Sequence, residues 1–66
     1  MDKREIAKTR RWFGYTVKEM GLKIGAHFTT VSQIETGDRV PTPDQLNRLK
    51  ALRRKMLKEM AGELEA

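Results

Sequence analysis

The sequence predicts an all-α fold of four helices. Helix-start signals recur four times in 66 residues, glycines stand at the matching helix ends, and no run of β-branched residues alternates with period two. A chain this short has room for one domain, with a thin core that oligomerisation would support.

The first helix is expected over about residues 3–13. Asp2 followed three positions later by Glu5 reads as a capping box, Met1 and Ile6 are spaced as its hydrophobic staple, and Gly14 provides the stop. Thr16 with Glu19, the Tyr15–Met20 staple and Gly25 delimit the second helix, 17–24. The third, 28–36, ends at Gly37 and has the weakest start, because His27 occupies the cap position and histidine is a poor cap. Thr42 with Gln45, the Pro41–Leu46 staple and Pro43 at the first helical position open a fourth helix that runs without a break to about residue 64.

Composition narrows the function classes. Without cysteine there is no disulfide framework or thiolate site, and the single histidine, His27, cannot build a zinc centre, so no metal and no cofactor are expected. No uncharged run is long enough for a membrane span or a signal-peptide core, so a cytoplasmic chain with no membrane partner is expected. There is no His–carboxylate constellation, no phosphate loop and too little chain for a substrate pocket, so neither an enzyme nor a small-molecule substrate is expected. Fourteen Lys and Arg against nine Asp and Glu give +5 and a pI near 10.0, a balance that points to an anionic partner, nucleic acid first. The basic residues frame a neutral centre: residues 16–37 carry Lys18 and Lys23 against Glu19 and Glu35. Such a frame suits a module that holds phosphates at its edges and reads something uncharged in the middle.

The second and third helices are joined by only Gly25, Ala26 and His27. Gly21 faces their crossing, and Met20, Ile24, Val31 and Ile34 recur on their inner sides. That spacing is the pattern of a DNA-binding helix-turn-helix. The stretch from Ile6 to Leu52 resembles the lambda-repressor-like, Cro/CI-type helix-turn-helix family. The matching positions are Ile6, Arg10, Gly14-Tyr15-Thr16, Gly21, Gly25, Thr30 through Glu35, Gly37, Arg39, Pro41 and Leu46, with the run from Val31 to Gly37 the most specific. The resemblance implies a compact four-helix DNA-binding domain whose third helix enters the major groove, usually as a dimer on a near-palindromic operator. It also implies that Arg10 pairs with Glu35, bridging the first and third helices. Four departures stand out: Val17 replaces a frequent glutamine, Thr9 stands where a core leucine is usual, Asp38 where a lysine is common, and one long helix replaces the usual fourth and fifth. On this reading residues 1–55 form the DNA-binding domain, and residues 56–66 a helical extension serving dimerisation.

With Val31 and Ile34 turned inward, the outward set of the third helix is Phe28, Thr29, Ser32, Gln33 and Thr36. The family places the positions of Phe28, Thr29, Ser32 and Gln33 near base edges. Gln33 can pair bidentately with adenine, while Phe28 and the Thr29 methyl suit thymine methyl groups. The alternative for Phe28 is burial beneath the second helix, and for Gln33 a solvated surface position. No arginine or lysine lies on this face, so A·T pairs are expected at the central contacts. Backbone contacts are expected from Thr16, Val17 and Lys18 at the start of the second helix, where the macrodipole favours phosphate, and from His27, Thr36 and Arg39. Beyond the core, Met56, Leu57, Met60 and Leu64 are expected to form a dimer interface rimmed by charges, the alternative for Met56 being to continue the core-facing stripe of Leu46, Leu49 and Leu52. The function expected is a homodimeric, often autoregulating repressor acting on double-stranded DNA at an inverted-repeat operator. It would be of phage, plasmid, anti-CRISPR-associated or restriction-modification controller type. The competing expectation is an antitoxin or adaptor whose last helix binds a different protein.

Overall fold

The computed structural model describes residues 1–65, with side chains described through Gly62. Four helices follow one another: α1 (Lys3–Phe13), α2 (Val17–Ile24), α3 (Phe28–Thr36) and α4 (Pro43–Glu65), with no strand among the described residues. The local signals act as the sequence suggests, with one exception. Thr16 and Glu19 form both bonds of their capping box, and Thr42 and Gln45 do the same at 3.0 and 3.2 Å. At α1 only half the box forms. Asp2 accepts from the Glu5 backbone N–H at 2.8 Å, but the Glu5 carboxylate is drawn away to Arg53 of α4. The first three helices close on Gly14, Gly25 and Gly37 in the left-handed conformation.

Ile6 of α1, Met20 and Ile24 of α2, Val31 and Ile34 of α3 and Leu49 of α4 form one buried cluster. Met1, Tyr15, Val17, Ala26 and Leu52 pack around it, so each helix and two of the joining turns contribute to a single core. Gly21 is the closest point of the α2–α3 crossing. A Cβ there would stand 2.3 Å from the Ala26 carbonyl oxygen, which the backbone could clear only by moving. The Ala26 N–H in turn donates to the Gly21 carbonyl at 2.9 Å, locking the turn against the helix that precedes it.

α4 extends the molecule to 38 Å along its longest axis against 21 and 18 Å across. Its inner side serves the chain's own core as far as Met56, which is 4% exposed: of its two readings from sequence, core stripe and dimer interface, the structure gives the first. Met56 lines a cleft between α1 and α4 together with the fully buried Thr9, whose hydroxyl donates to the Glu5 carbonyl at 2.8 Å. The short threonine leaves space on α1, and a flexible methionine from α4 occupies part of it. About 150 Å3 stays open between Lys8, Arg53 and Leu57. Of the other residues expected at a dimer interface, Leu57 is 52% exposed, Met60 is half-buried, and Leu64 lies outside the residues whose side chains are described.

Candidate nucleic-acid interface

The helix-turn-helix is fixed from behind by Arg10. Its Nε donates to Glu35 Oε2 at 2.7 Å, Nη2 to Glu35 Oε1 at 3.0 Å, and Nη1 to the Tyr15 carbonyl at 2.9 Å. One guanidinium thus ties α1 to the turn before α2 and to the last turn of α3. Both side chains are largely buried, 18% and 12% exposed. The hydrogen bonds to Glu35 hold the guanidinium above its ordinary pKa; burial opposes them and the Glu35 charge adds to them.

In front of this brace lies the outward side of α3. Phe28, Thr29 and Ser32 are exposed and Gln33 is half-buried. Phe28 is not beneath α2: it is 48% exposed, with the His27 ring tilted against it at a centroid distance of 4.3 Å. Among the described residues no side chain hydrogen-bonds the Gln33 amide, while the Gln33 carbonyl accepts from the backbone N–H groups of Asp38 (2.8 Å) and Arg39 (3.2 Å). That convergence anchors the loop from which the exposed Arg39 side chain projects.

The poor cap proves functional in the helix. His27 Nδ1 accepts the Thr29 backbone N–H at 3.2 Å. The tautomer that accepts there carries its ring hydrogen on Nε2, a donor for solvent or a phosphate. At α2, the Thr16 hydroxyl oxygen accepts from the Glu19 N–H, so the donors left at that helix end are the Thr16 hydroxyl hydrogen and the first-turn backbone N–H groups of Val17 and Lys18. Val17 packs against the core and Lys18 is exposed. Thr36 stands apart. Its hydroxyl lies 3.1 Å from the Gln33 carbonyl and 3.0 Å from the Asp38 carboxylate, so its one proton is engaged within the chain and an acidic group stands beside it.

Two basic residues that the sequence pattern does not single out also join this surface. The Lys3 side chain arches over Gly37, and with Arg39 it rims a shallow hollow at the C-terminal end of α3. The Arg48 guanidinium lies over Gly25, the turn between α2 and α3, while pairing with Asp44 one helical turn earlier. Both placements depend on which turn each helix packs against; the only trace in the sequence is the basic charge of the two flanks.

The sequence model of the helix-turn-helix family matches residues 6–51, from the start of the α1 core face to the middle of α4. No curated protein and no solved structure matches the chain. The match takes in the Arg10–Glu35 brace, the Gly21 crossing and the whole outward side of α3, more than half of the chain. The protein is a member of the Cro/CI-type helix-turn-helix family, whose members are DNA-binding transcription regulators.

Proposed function

We propose that the protein is a homodimeric repressor that binds an inverted-repeat operator with α3 of each copy in the major groove. The observation that carries this reading is the neutral outward face of α3, Phe28, Thr29, Ser32 and Gln33, set between cationic groups on other elements. Uncharged side chains read base edges, and the surrounding cations hold phosphates without regard to sequence. In this division Gln33 reads adenine through N6 and N7, and Thr29 and Ser32 supply further hydrogen bonds. Lys18, Arg39, the Nε2 hydrogen of His27 and the first-turn N–H groups of α2 hold the backbone; Arg48, over the turn before α3, and Lys3, over the glycine that ends it, extend the set. Occlusion of a promoter follows from such binding with no further machinery.

Selection from a pool of random-sequence duplexes, followed by footprinting, tests the proposal. The expected product is an inverted repeat with A·T pairs at the central contacts and half-site centres about 34 Å apart. If about six phosphates are neutralised per dimer, log affinity falls against log salt with a slope of roughly −5. Failure to enrich any duplex, or affinity indifferent to salt, overturns it.

A further inference from the structure

We infer that Phe28, held by His27, reads the C5 methyl group of a pyrimidine, so that the protein distinguishes thymine from uracil and 5-methylcytosine from cytosine at one step of each half-site. The inference rests on the proposed placement of α3 in the major groove and adds to it a ligand chemistry. Phe28 is the large apolar side chain on the outward side of α3, at the first helical position and 48% exposed. A phenyl ring has no donor or acceptor, so it cannot read the hydrogen-bonding pattern of a base edge. The apolar group that a major-groove edge offers is the methyl on pyrimidine C5. Thymine carries it, and 5-methylcytosine carries the same group on the same ring carbon.

The ring is also held in place. His27 packs against it at 4.3 Å, and the imidazole is itself fixed by accepting from the Thr29 backbone N–H at 3.2 Å, with the Thr29 hydroxyl at the same distance. An aromatic side chain ordered before binding loses less freedom on contact. His27 is therefore a positioning residue for the reader as well as the cap of its helix.

The experiment uses the full-length protein and a duplex selected from the random pool. Each thymine is replaced in turn by uracil, and at the responsive step cytosine is compared with 5-methylcytosine, affinity being read by fluorescence anisotropy. One buried methyl corresponds to roughly fourfold in affinity, so the expected loss is roughly fourfold for one half-site and roughly fifteenfold for both. 5-Methylcytosine should outbind cytosine by a similar factor. Phe28→Ala should erase both differences while salt-dependent DNA binding persists. His27→Asn keeps a side-chain acceptor at the cap but removes the ring, so helicity should hold while the methyl preference shrinks. If uracil binds as well as thymine at every position while the selected duplex is still preferred over a scrambled one, methyl reading is overturned and base recognition by α3 stands. Methyl reading is likewise overturned if Phe28→Ala weakens all sequences alike, which would place the ring on the sugar–phosphate backbone. If no duplex is enriched at all, the DNA-recognition reading fails and the inference falls with it.

Discussion

Arg10 shows how much one side chain can be asked to hold. Its guanidinium satisfies both Glu35 oxygens and the Tyr15 carbonyl, so truncation removes three hydrogen bonds and strands a carboxylate that is 12% exposed. A charge left without its partner in such a site costs more than the pair itself contributes. Arg10→Ala is expected to destabilise by about 3 kcal/mol, read as a drop in melting temperature of more than about 10 °C. An unchanged melting curve would mean that the brace bears no load. The pH dependence carries a definite sign. A folded-state pKa raised above the unfolded value gives stabilisation that is full below the ordinary arginine range and is lost only as pH climbs through the raised value. Deprotonation of Arg10 therefore does not weaken the fold anywhere near neutrality. On the opposite side of α3, Gln33 and Arg39 should separate by the kind of loss they cause. Gln33→Ala is expected to cost about 1–3 kcal/mol on the selected operator and to relax one base position per half-site, whereas Arg39→Ala should weaken all sequences alike. Repeating the selection with each variant distinguishes the two patterns.

Two glycines inside helices test what positions an element. Helix propensity alone says that alanine stabilises at either Gly21 or Gly62, by up to about 1 kcal/mol. At Gly62 a Cβ meets nothing within 4 Å among the described residues, whereas at Gly21 it meets the Ala26 carbonyl at 2.3 Å. Gly62→Ala should raise the melting temperature slightly, and Gly21→Ala should abolish cooperative unfolding by forcing α2 off α3. Circular dichroism melts of the pair decide whether the crossing governs. These elements also show what could be read from the sequence. Caps, staples and stops lie within a few residues of one another, so all four helix boundaries were legible. So was the outward set of α3, which follows from helical period once Val31 and Ile34 are turned inward. The fate of Glu5 was not: its carboxylate was expected at its own helix start, but Arg53, 48 residues away, takes it. The cap position of His27 was legible but not its effectiveness, because cap preferences rank residue types and do not see that the Thr29 N–H points at Nδ1. Met56 was legible only as an alternative: its spacing continues the core-facing stripe of Leu46, Leu49 and Leu52 and equally the run of Leu57 and Met60, and the packing of α4 against α1 beside Thr9 decides for the core.

At the scale of the whole molecule, the far end of α4 poses the question of a partner. Leu49 and Met56 spend the inner side of this helix on the chain's own core, while Leu57 stays 52% exposed beside the open cleft between α1 and α4. The sequence around it grades from Arg53, Arg54, Lys55 and Lys58 to Glu59, Glu63 and Glu65. Two copies of this helix aligned antiparallel bring the basic half of each against the acidic half of the other, and a two-fold axis between them makes the contact self-complementary. Parallel alignment sets like against like. Dimerisation through this end is thus expected to pair α4 with α4 antiparallel, Leu57 and Met60 forming the apolar seam. Because Met56 is core, the test leaves it in place: the double variant Leu57→Glu, Met60→Glu alters the seam and spares the monomer. Sedimentation at roughly 20 micromolar should show a dimer for the unaltered chain and a monomer for the variant, with helical content retained. Operator affinity should then fall by about a hundredfold or more, since each half-site must be bound independently. High salt should loosen the unaltered dimer, because its register depends on charge. A variant that remains dimeric would move the seam elsewhere, the outer side of α1 around Trp12 being the next surface to alter. An unaltered chain that stays monomeric, yet is held by a different protein through Leu57, would turn the same face into the contact of an adaptor.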